Sequence, residues 1–305
     1  MPPFRSQTSQ ICVSLSAPAS FINAVGVLLA AMPLRNFPHN PERGIGSGSS
    51  DPWLQFSNIF REGDQPLPQP WREIFGPLRQ GLVDDLMVVG QIGQSLDGRI
   101  ATESGHSRYI NGPAGLAHLH RLRALVDAVV IGVGTAIADD PQLTVRRVAG
   151  PQPARVVIDP KGRLAGNAKV FGEDGVRRIL VTADGASARP PSGVELLQLP
   201  LADGHLSPAA ILRALSAIGM RRILIEGGAN TVSRFIAAGC LDRLHVMVAP
   251  IILGAGRAGI ALPPIERADQ AMRVRVYTHR IEDEMLFDCD LSSQRVPVGA
   301  AKKST

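Results

Sequence analysis

Short apolar runs rich in β-branched residues recur through the later two-thirds of the chain. They are Met87–Ile92, Ala128–Ile131, Arg155–Ile158, Arg178–Thr182 and Arg222–Ile225. Their length and flanking turn residues predict buried strands. Between them the period changes. Asn111-Gly112-Pro113 reads as a helix start, with Asn as cap and Pro in the first turn. Leu116, Leu119, Leu122, Ala124 and Leu125 then fall at core-like helical spacing as far as Val126. Ser207-Pro208 opens a second helix through Ile218, and Glu226-Gly227-Gly228 turns into a third, Ala229–Ala238, which stops at Gly239. Leu244–Val248, Val274–Tyr277 and Met285–Cys289 read as closing strands with no helix between them. Alternating strands and helices with a strand-rich end predict an α/β fold, a mixed, mostly parallel sheet with helices on both faces. The compact domain is expected over residues 81–292, with a flexible tail at 293–305.

The first 80 residues carry no such pattern and are expected to be a poorly structured extension and linker. Ile11 to Met32 holds no charge and ends near Val27-Leu28-Leu29-Ala30-Ala31, in outline a secretory signal that approaches membrane-spanning length. Serines, a proline and an asparagine interrupt it, so an extension with Met32 as an alternative start is the reading preferred. Asn36 to Pro70 has the Pro, Gly, Ser and Asn content of a linker, and Trp71 to Leu82 reads as a short helix at the domain edge. A chain starting near Trp71 is therefore expected to stay soluble and active.

Composition removes several function classes. Aromatic content of 4% leaves little for nucleobase stacking, and the net charge of +5 is scattered rather than gathered into a block. Neither nucleic acid nor membrane is expected as a partner, and a small anionic substrate suits the dispersed arginines better. Cys12, Cys240 and Cys289 offer neither a disulfide framework nor a metal clamp, which fits a reducing cytoplasm. The histidines form no metal motif, and His118 and His120, two apart on a helix, face different directions. No metal site is expected.

The candidate chemistry lies in loops where apolar runs end, the place at which open α/β sheets bind ligands. These are Ser95-Leu96-Asp97-Gly98, Gly132-Val133-Gly134-Thr135 and Glu226-Gly227-Gly228. A glycine turn entering a helix can take a phosphate on free N–H groups, and it can equally serve tight strand-to-helix packing. Two such turns in one sheet favour a dinucleotide. Asp139-Asp140-Pro141 reads as turn chemistry ahead of metal carboxylates. Arg123 and Arg146 are candidates for a substrate phosphate, with a surface ion pair as the alternative. Glu226 could accept hydrogen bonds from a polar ring edge, and Asp97 is first a turn residue.

Taken in order, the segments Ser95–Ala101, Gly105-His106-Ser107-Arg108-Tyr109-Ile110, His120-Arg121-Leu122-Arg123-Ala124, Gly132–Thr135, Ala138–Pro141, Leu143–Arg146, Ile225–Ala229 and Ala249–Gly254 resemble the reductase domain of riboflavin biosynthesis. That family has a dihydrofolate reductase-like fold. It uses NADPH to reduce the ribosyl chain of 5-amino-6-(5-phosphoribosylamino)uracil to a ribityl chain. The resemblance implies NADPH contacts at Gly93, Tyr109, Thr135, Asp139 and the turn from Gly228 through Ala229, Asn230 and Thr231 to Arg234. It implies substrate contacts at Ser107, Arg123, Leu143, Arg146 and Glu226, and a homodimer. Tyr109 stands where Trp is common. The His-x-Glu and Pro-Cys-x-x-Cys signature of the deaminase found in bifunctional relatives has no match here. Chemistry by positioning explains why no nucleophile motif is visible. Lys161 and Arg163 are placed to meet a cofactor 2′-phosphate. The rival readings are reduction of dihydrofolate or another pteridine, and a catalytically silent nucleotide-binding protein.

Overall fold

The computed structural model describes residues 51–299 apart from Asp64, Leu82 and Tyr109. The charge-free segment from Ile11 to Met32 lies outside the described residues. Helix α1 (Pro52–Glu62) and the short α2 (Arg72–Phe75) precede β1 (Met87–Ser95) and β2 (Arg99–Thr102). Then follow α3 (Pro113–Leu125), β3 (Ala128–Gly132), α4 (Val133–Asp139), β4 (Ala154–Ile158), β5 (Arg178–Ala183) and β6 (Val194–Leu199). A small hairpin, β7 (Leu201–Ala202) and β8 (His205–Leu206), leads into α5 (Pro208–Ala217), β9 (Arg222–Glu226) and α6 (Ala229–Ala237). The chain closes with β10 (Arg243–Ala249), β11 (Gly256–Ala258), β12 (Arg275–Ile281) and β13 (Glu284–Asp290).

Nine strands form one sheet in the order β12-β13-β10-β1-β9-β3-β4-β5-β6. From β10 to β6 every pairing is parallel, while β13 joins β10 and β12 antiparallel. The expected mixed, mostly parallel sheet is present. Successive strand residues point to opposite faces, and this alternation splits the core in two. Val89, Val129, Ile131 and Leu224 meet α1, α2 and α3 on one side. Val88, Ala128, Val130, Ile223 and Ile225 meet α5 and α6 on the other. The chain leaves β1, builds outward through β3 to β6, and returns to insert β9 between β1 and β3. The carboxyl ends of β1, β9 and β3 thus open at a topological switch point, where such sheets hold ligands.

Several expectations are corrected by packing. Residues 51–80 are not linker throughout: α1 buries Trp53, Phe56 and Phe60 against Phe75 and the outer face of α3. Asp51 accepts the Trp53 N–H at 2.9 Å, so the helix starts with an Asp cap and Pro at its first position. Its last turn reaches across to α3: Arg61 donates to the carbonyls of Ala124 at 2.8 Å and Val126 at 3.2 Å. Nor does order end at 292. Arg295 and Val298 are buried, and Arg213 donates to the Val298 carbonyl at 2.7 Å. Asn111 is not the cap of α3. The Glu284 carboxylate, from β13, accepts the N–H groups of Gly112 at 3.1 Å and Gly115 at 2.6 Å, and Asn111 donates to it at 2.7 Å. The Gly132–Thr135 loop is largely helix, since α4 begins at Val133. Among the described residues no helix is long and apolar enough to cross a membrane.

Candidate active site

A cleft of about 1090 Å³ opens above the carboxyl ends of β1, β3, β4 and β9. Glycine sets its floor. A Cβ on Gly93 would lie 1.9 Å from Asn111 Oδ1, and one on Gly132 would lie 2.4 Å from Thr231 Oγ1. Gly228 has φ +48°, and a Cβ there would stand 2.6 Å from Thr135 Oγ1. The two glycine turns read from the sequence therefore meet through Thr135 and Thr231. Gly228 opens α6, whose first turn, Ala229-Asn230-Thr231, lines the cleft. The Thr231 N–H is already held by the Gly228 carbonyl at 3.0 Å. A helix amino terminus bordered by glycine, with its positive partial charge, suits a pyrophosphate. At one end Arg163, His205 and Arg234 line the wall, and Arg234 lies 3.3 Å from His205 Nδ1.

A second pocket, of about 690 Å³, shares Gly105, Ser107, Arg108, Leu116, Ala138 and Asp139 with the cleft. Arg123, Leu143 and Arg146 complete its far side. Gly93, Thr135, Asp139, Gly228, Ala229, Asn230, Thr231 and Glu226 line the cleft, and Ser107 faces both spaces. Of the expected substrate residues, Ser107, Arg123, Leu143 and Arg146 line the second pocket, while Glu226 lines the cleft together with the described residues expected for the cofactor. Tyr109 lies outside the described residues. Lys161 does not line either space, whereas Arg163 does.

Arg123 and Glu226 bind each other. Arg123 Nε donates to Glu226 Oε2 at 2.8 Å, Nη2 donates to Oε1, and Nη1 donates to the Thr144 carbonyl at 2.9 Å. Both side chains are buried, so the pair is a desolvated, bidentate bridge from α3 to the end of β9. Its guanidinium fork is already engaged, which leaves Arg146 as the more available cation. Arg146 is exposed and donates to Gln142 Oε1 at 2.7 Å. Its backbone N–H donates to His120 Nδ1 at 2.9 Å. Burial first, then Arg123, Arg146 and Arg147, push the His120 imidazole down to about 3. Leu143, a buried non-glycine residue, is held at φ +55°, a strained geometry of a kind often found at binding sites.

Asp139 sits at the junction of both spaces. Burial raises its carboxyl above the usual range, while Arg108 and Arg257 act in the opposite sense. Asp140 behaves as the turn reading expected: at φ +40° it ends α4, and it binds the Lys169 N–H at 2.8 Å and the Lys169 Nζ at 2.9 Å. Asp97 also serves the loop. It accepts from Ser95 Oγ at 2.6 Å, Leu253 N–H at 3.0 Å and Gly254 N–H at 2.7 Å, and the Ser95 bond leads the causes that lower it to about 2. His205, Arg108, Arg257 and Asn111 also line the cleft, though sequence assigns none of them a ligand-contact role. They come from strands β8 and β11, the loop between β2 and α3 and the entrance of α3, whose long-range placement no local spacing records.

The chain has relatives among known proteins. Over 186 residues the chain is 33% identical to the riboflavin biosynthesis protein RibD of Aquifex aeolicus, covering 60% of this chain and 51% of that one. Over 191 residues it is 33% identical to the 2,5-diamino-6-ribosylamino-4(3H)-pyrimidinone 5′-phosphate reductase of Methanothermobacter thermautotrophicus, covering 60% and 86%. The chain thus spans about half the length of the Aquifex relative and most of the archaeal one. Among solved structures, the deaminase/5-amino-6-(5-phosphoribosylamino)uracil reductase of Thermotoga maritima superimposes with a TM-score of 0.58 at 30% identity, covering 67% of this chain and 56% of that one. Residues 86–282, well over half of the chain, match the RibD C-terminal domain, and the chain belongs to that family.

Proposed function

We propose that the chain is an NADPH-dependent reductase that converts the ribosyl chain of a 5′-phosphoribosylaminopyrimidine to a ribityl chain. The observation that carries this reading is the pair of adjoining spaces, one floored by glycine and the first turn of α6, the other edged by Arg146. The cleft residues fit a dinucleotide, because its floor has room only where side chains are absent. Gly228 to Thr231 would hold the pyrophosphate, and Arg163 with Arg234 would face the 2′-phosphate. When bound, NADPH supplies a hydride.

The chain's own part is positioning. The opened substrate carries a C1′=N imine, which becomes an amine when hydride adds to C1′ and a proton to nitrogen. Arg146 holds the 5′-phosphate, the Arg123–Glu226 bridge fixes the wall between helix and sheet, and Ser107 and Asp139 border both bound molecules. Holding two reactants in register is a large source of rate by itself. Two related pyrimidines are named for the relatives, the 5-amino uracil and the 2,5-diamino pyrimidinone, and both are substrates to assay. A homodimer is proposed too, since β12 is a sheet edge that exposes Val276 and Tyr277. A cytoplasmic location suits the free thiols of Cys240 and Cys289.

The test is NADPH oxidation by the purified full chain with each phosphorylated pyrimidine, dihydrofolate as the comparison, and product mass as confirmation. A gain of two hydrogens on the pyrimidine is expected. Turnover of dihydrofolate alone, or cofactor binding without turnover, would overturn the proposal.

A further inference from the structure

The segment Leu143–Arg146 belongs to no strand or helix, yet side chains hold its backbone at four successive points. The Thr144 carbonyl accepts from Arg123 at 2.9 Å. Gln152 clasps Val145 on both sides, its Oε1 accepting the N–H at 2.7 Å and its Nε2 donating to the carbonyl at 2.9 Å. His120 Nδ1 accepts the Arg146 N–H at 2.9 Å. Secondary structure normally supplies such partners. Here they come from the last turns of α3 and from the loop before β4, and they hold a segment whose Leu143 sits at φ +55°. A loop pinned in this way presents Arg146 in one place and removes the ordering cost from ligand binding.

We propose that His120 and Gln152 are positioning residues for the substrate phosphate, fixing the backbone from which Arg146 reaches the ligand. The inference rests on the assignment of Arg146 to that phosphate. His120 is buried and lines neither space, so it acts through the Arg146 peptide. The role needs an acceptor at Nδ1. An Asn side chain can offer its Oδ1 from nearly the same point, and Leu of similar bulk cannot.

The experiment is steady-state kinetics of the full-length chain with the phosphorylated pyrimidine, for wild type, His120→Leu, His120→Asn, Gln152→Leu and Arg146→Ala, with NADPH Kd and thermal melting measured in parallel. His120→Leu and Gln152→Leu are each expected to raise substrate KM about five- to tenfold, about 1 to 1.4 kcal/mol, with kcat within about twofold and NADPH Kd unchanged. His120→Asn should return KM to within about threefold of wild type. Should His120→Leu fail to fold, the exposed Gln152 carries the same test. Wild-type KM in a folded His120→Leu or in Gln152→Leu, beside a raised KM in Arg146→Ala, overturns the positioning role and leaves the phosphate assignment standing. An unchanged KM in Arg146→Ala overturns the phosphate assignment and the inference with it.

Discussion

A single methyl group tests the cofactor turn. Gly228→Ala would set a Cβ 2.6 Å from Thr135 Oγ1 on a backbone at φ +48°, so the first turn of α6 must shift. NADPH affinity is expected to fall about tenfold or more, about 1.4 kcal/mol, read by fluorescence titration; wild-type affinity would show that the cofactor does not use this turn. Arg146→Ala should lower kcat/KM on the phosphorylated pyrimidine by roughly ten- to a hundredfold, the cost of a charge-assisted phosphate contact. NADPH binding should hold steady, and a pteridine without the phosphate should be almost indifferent. Equal losses on both substrates would remove Arg146 from the phosphate. Arg163 is the remaining basic candidate of the original two, because Lys161 points no group into the cleft. Arg163→Ala is expected to reduce the preference for NADPH over NADH, measured as the ratio of their kcat/KM values. An unaltered ratio would assign discrimination elsewhere in the cleft.

Elements show which parts of the fold local sequence can encode. Apolar runs such as Ala128–Ile131 and Arg222–Ile225 were legible because buried parallel strands need continuous hydrophobicity. β6 carries no such signal: it lies at the sheet edge, alternates half-buried with exposed residues, and is followed by Pro200. The glycine turns at Gly132 and Gly228 were legible as turns, but their contact through Thr135 depends on β9 returning between β1 and β3. In the same way Arg123 and Glu226 were visible as charged candidates and invisible as partners, being far apart in the chain. The element least legible in sequence is α1, whose Trp53, Phe56 and Phe60 stand at helical spacing within a Pro- and Gly-rich neighbourhood of linker composition. Its Trp53, Phe56 and Phe60 find partners only in three dimensions, with Arg121 placed 5.6 Å from the ring centres of both Trp53 and Trp71. A chain starting at Trp71 is therefore expected to melt well below the full chain or to aggregate. Phe56→Ala, by leaving a cavity in that cluster, should cost about 3–5 kcal/mol in urea unfolding. A truncated chain with native melting would return residues 51–70 to the status of linker.

Across the whole molecule, buried histidines tie the α3 face to the strand-rich edge of the sheet. His118 stacks on Phe75 and lies 3.1 Å from His245 Nδ1; His245 Nε2 is 3.3 Å from Asp288 Oδ1, and Arg243 holds that carboxylate through Nε at 2.9 Å. Burial first, then His245, Arg121 and His279, keep the His118 imidazole well below its ordinary range. Burial likewise lowers His120 and His279, although Asp288 opposes the shift at His279. The sign follows from proton counts. A histidine whose folded value lies below its unfolded one binds its proton more readily when unfolded. Stability is then complete above the unfolded value near 6.5 and drains away as pH falls toward the folded value. Asp288, which its partners hold below the usual carboxylate range despite burial, adds a loss of the same sign at lower pH. The full chain should therefore lose stability steadily between about pH 6.5 and pH 4. Urea unfolding at a series of pH values, for wild type and His118→Gln, isolates the His118 share. The variant is expected to be less stable at pH 7.5, because its partners are disturbed, yet to show a shallower fall with acid by close to one proton. Parallel pH profiles for the two proteins would show that His118 takes no proton on unfolding and that the acid response arises at His120, His279 and the carboxylates.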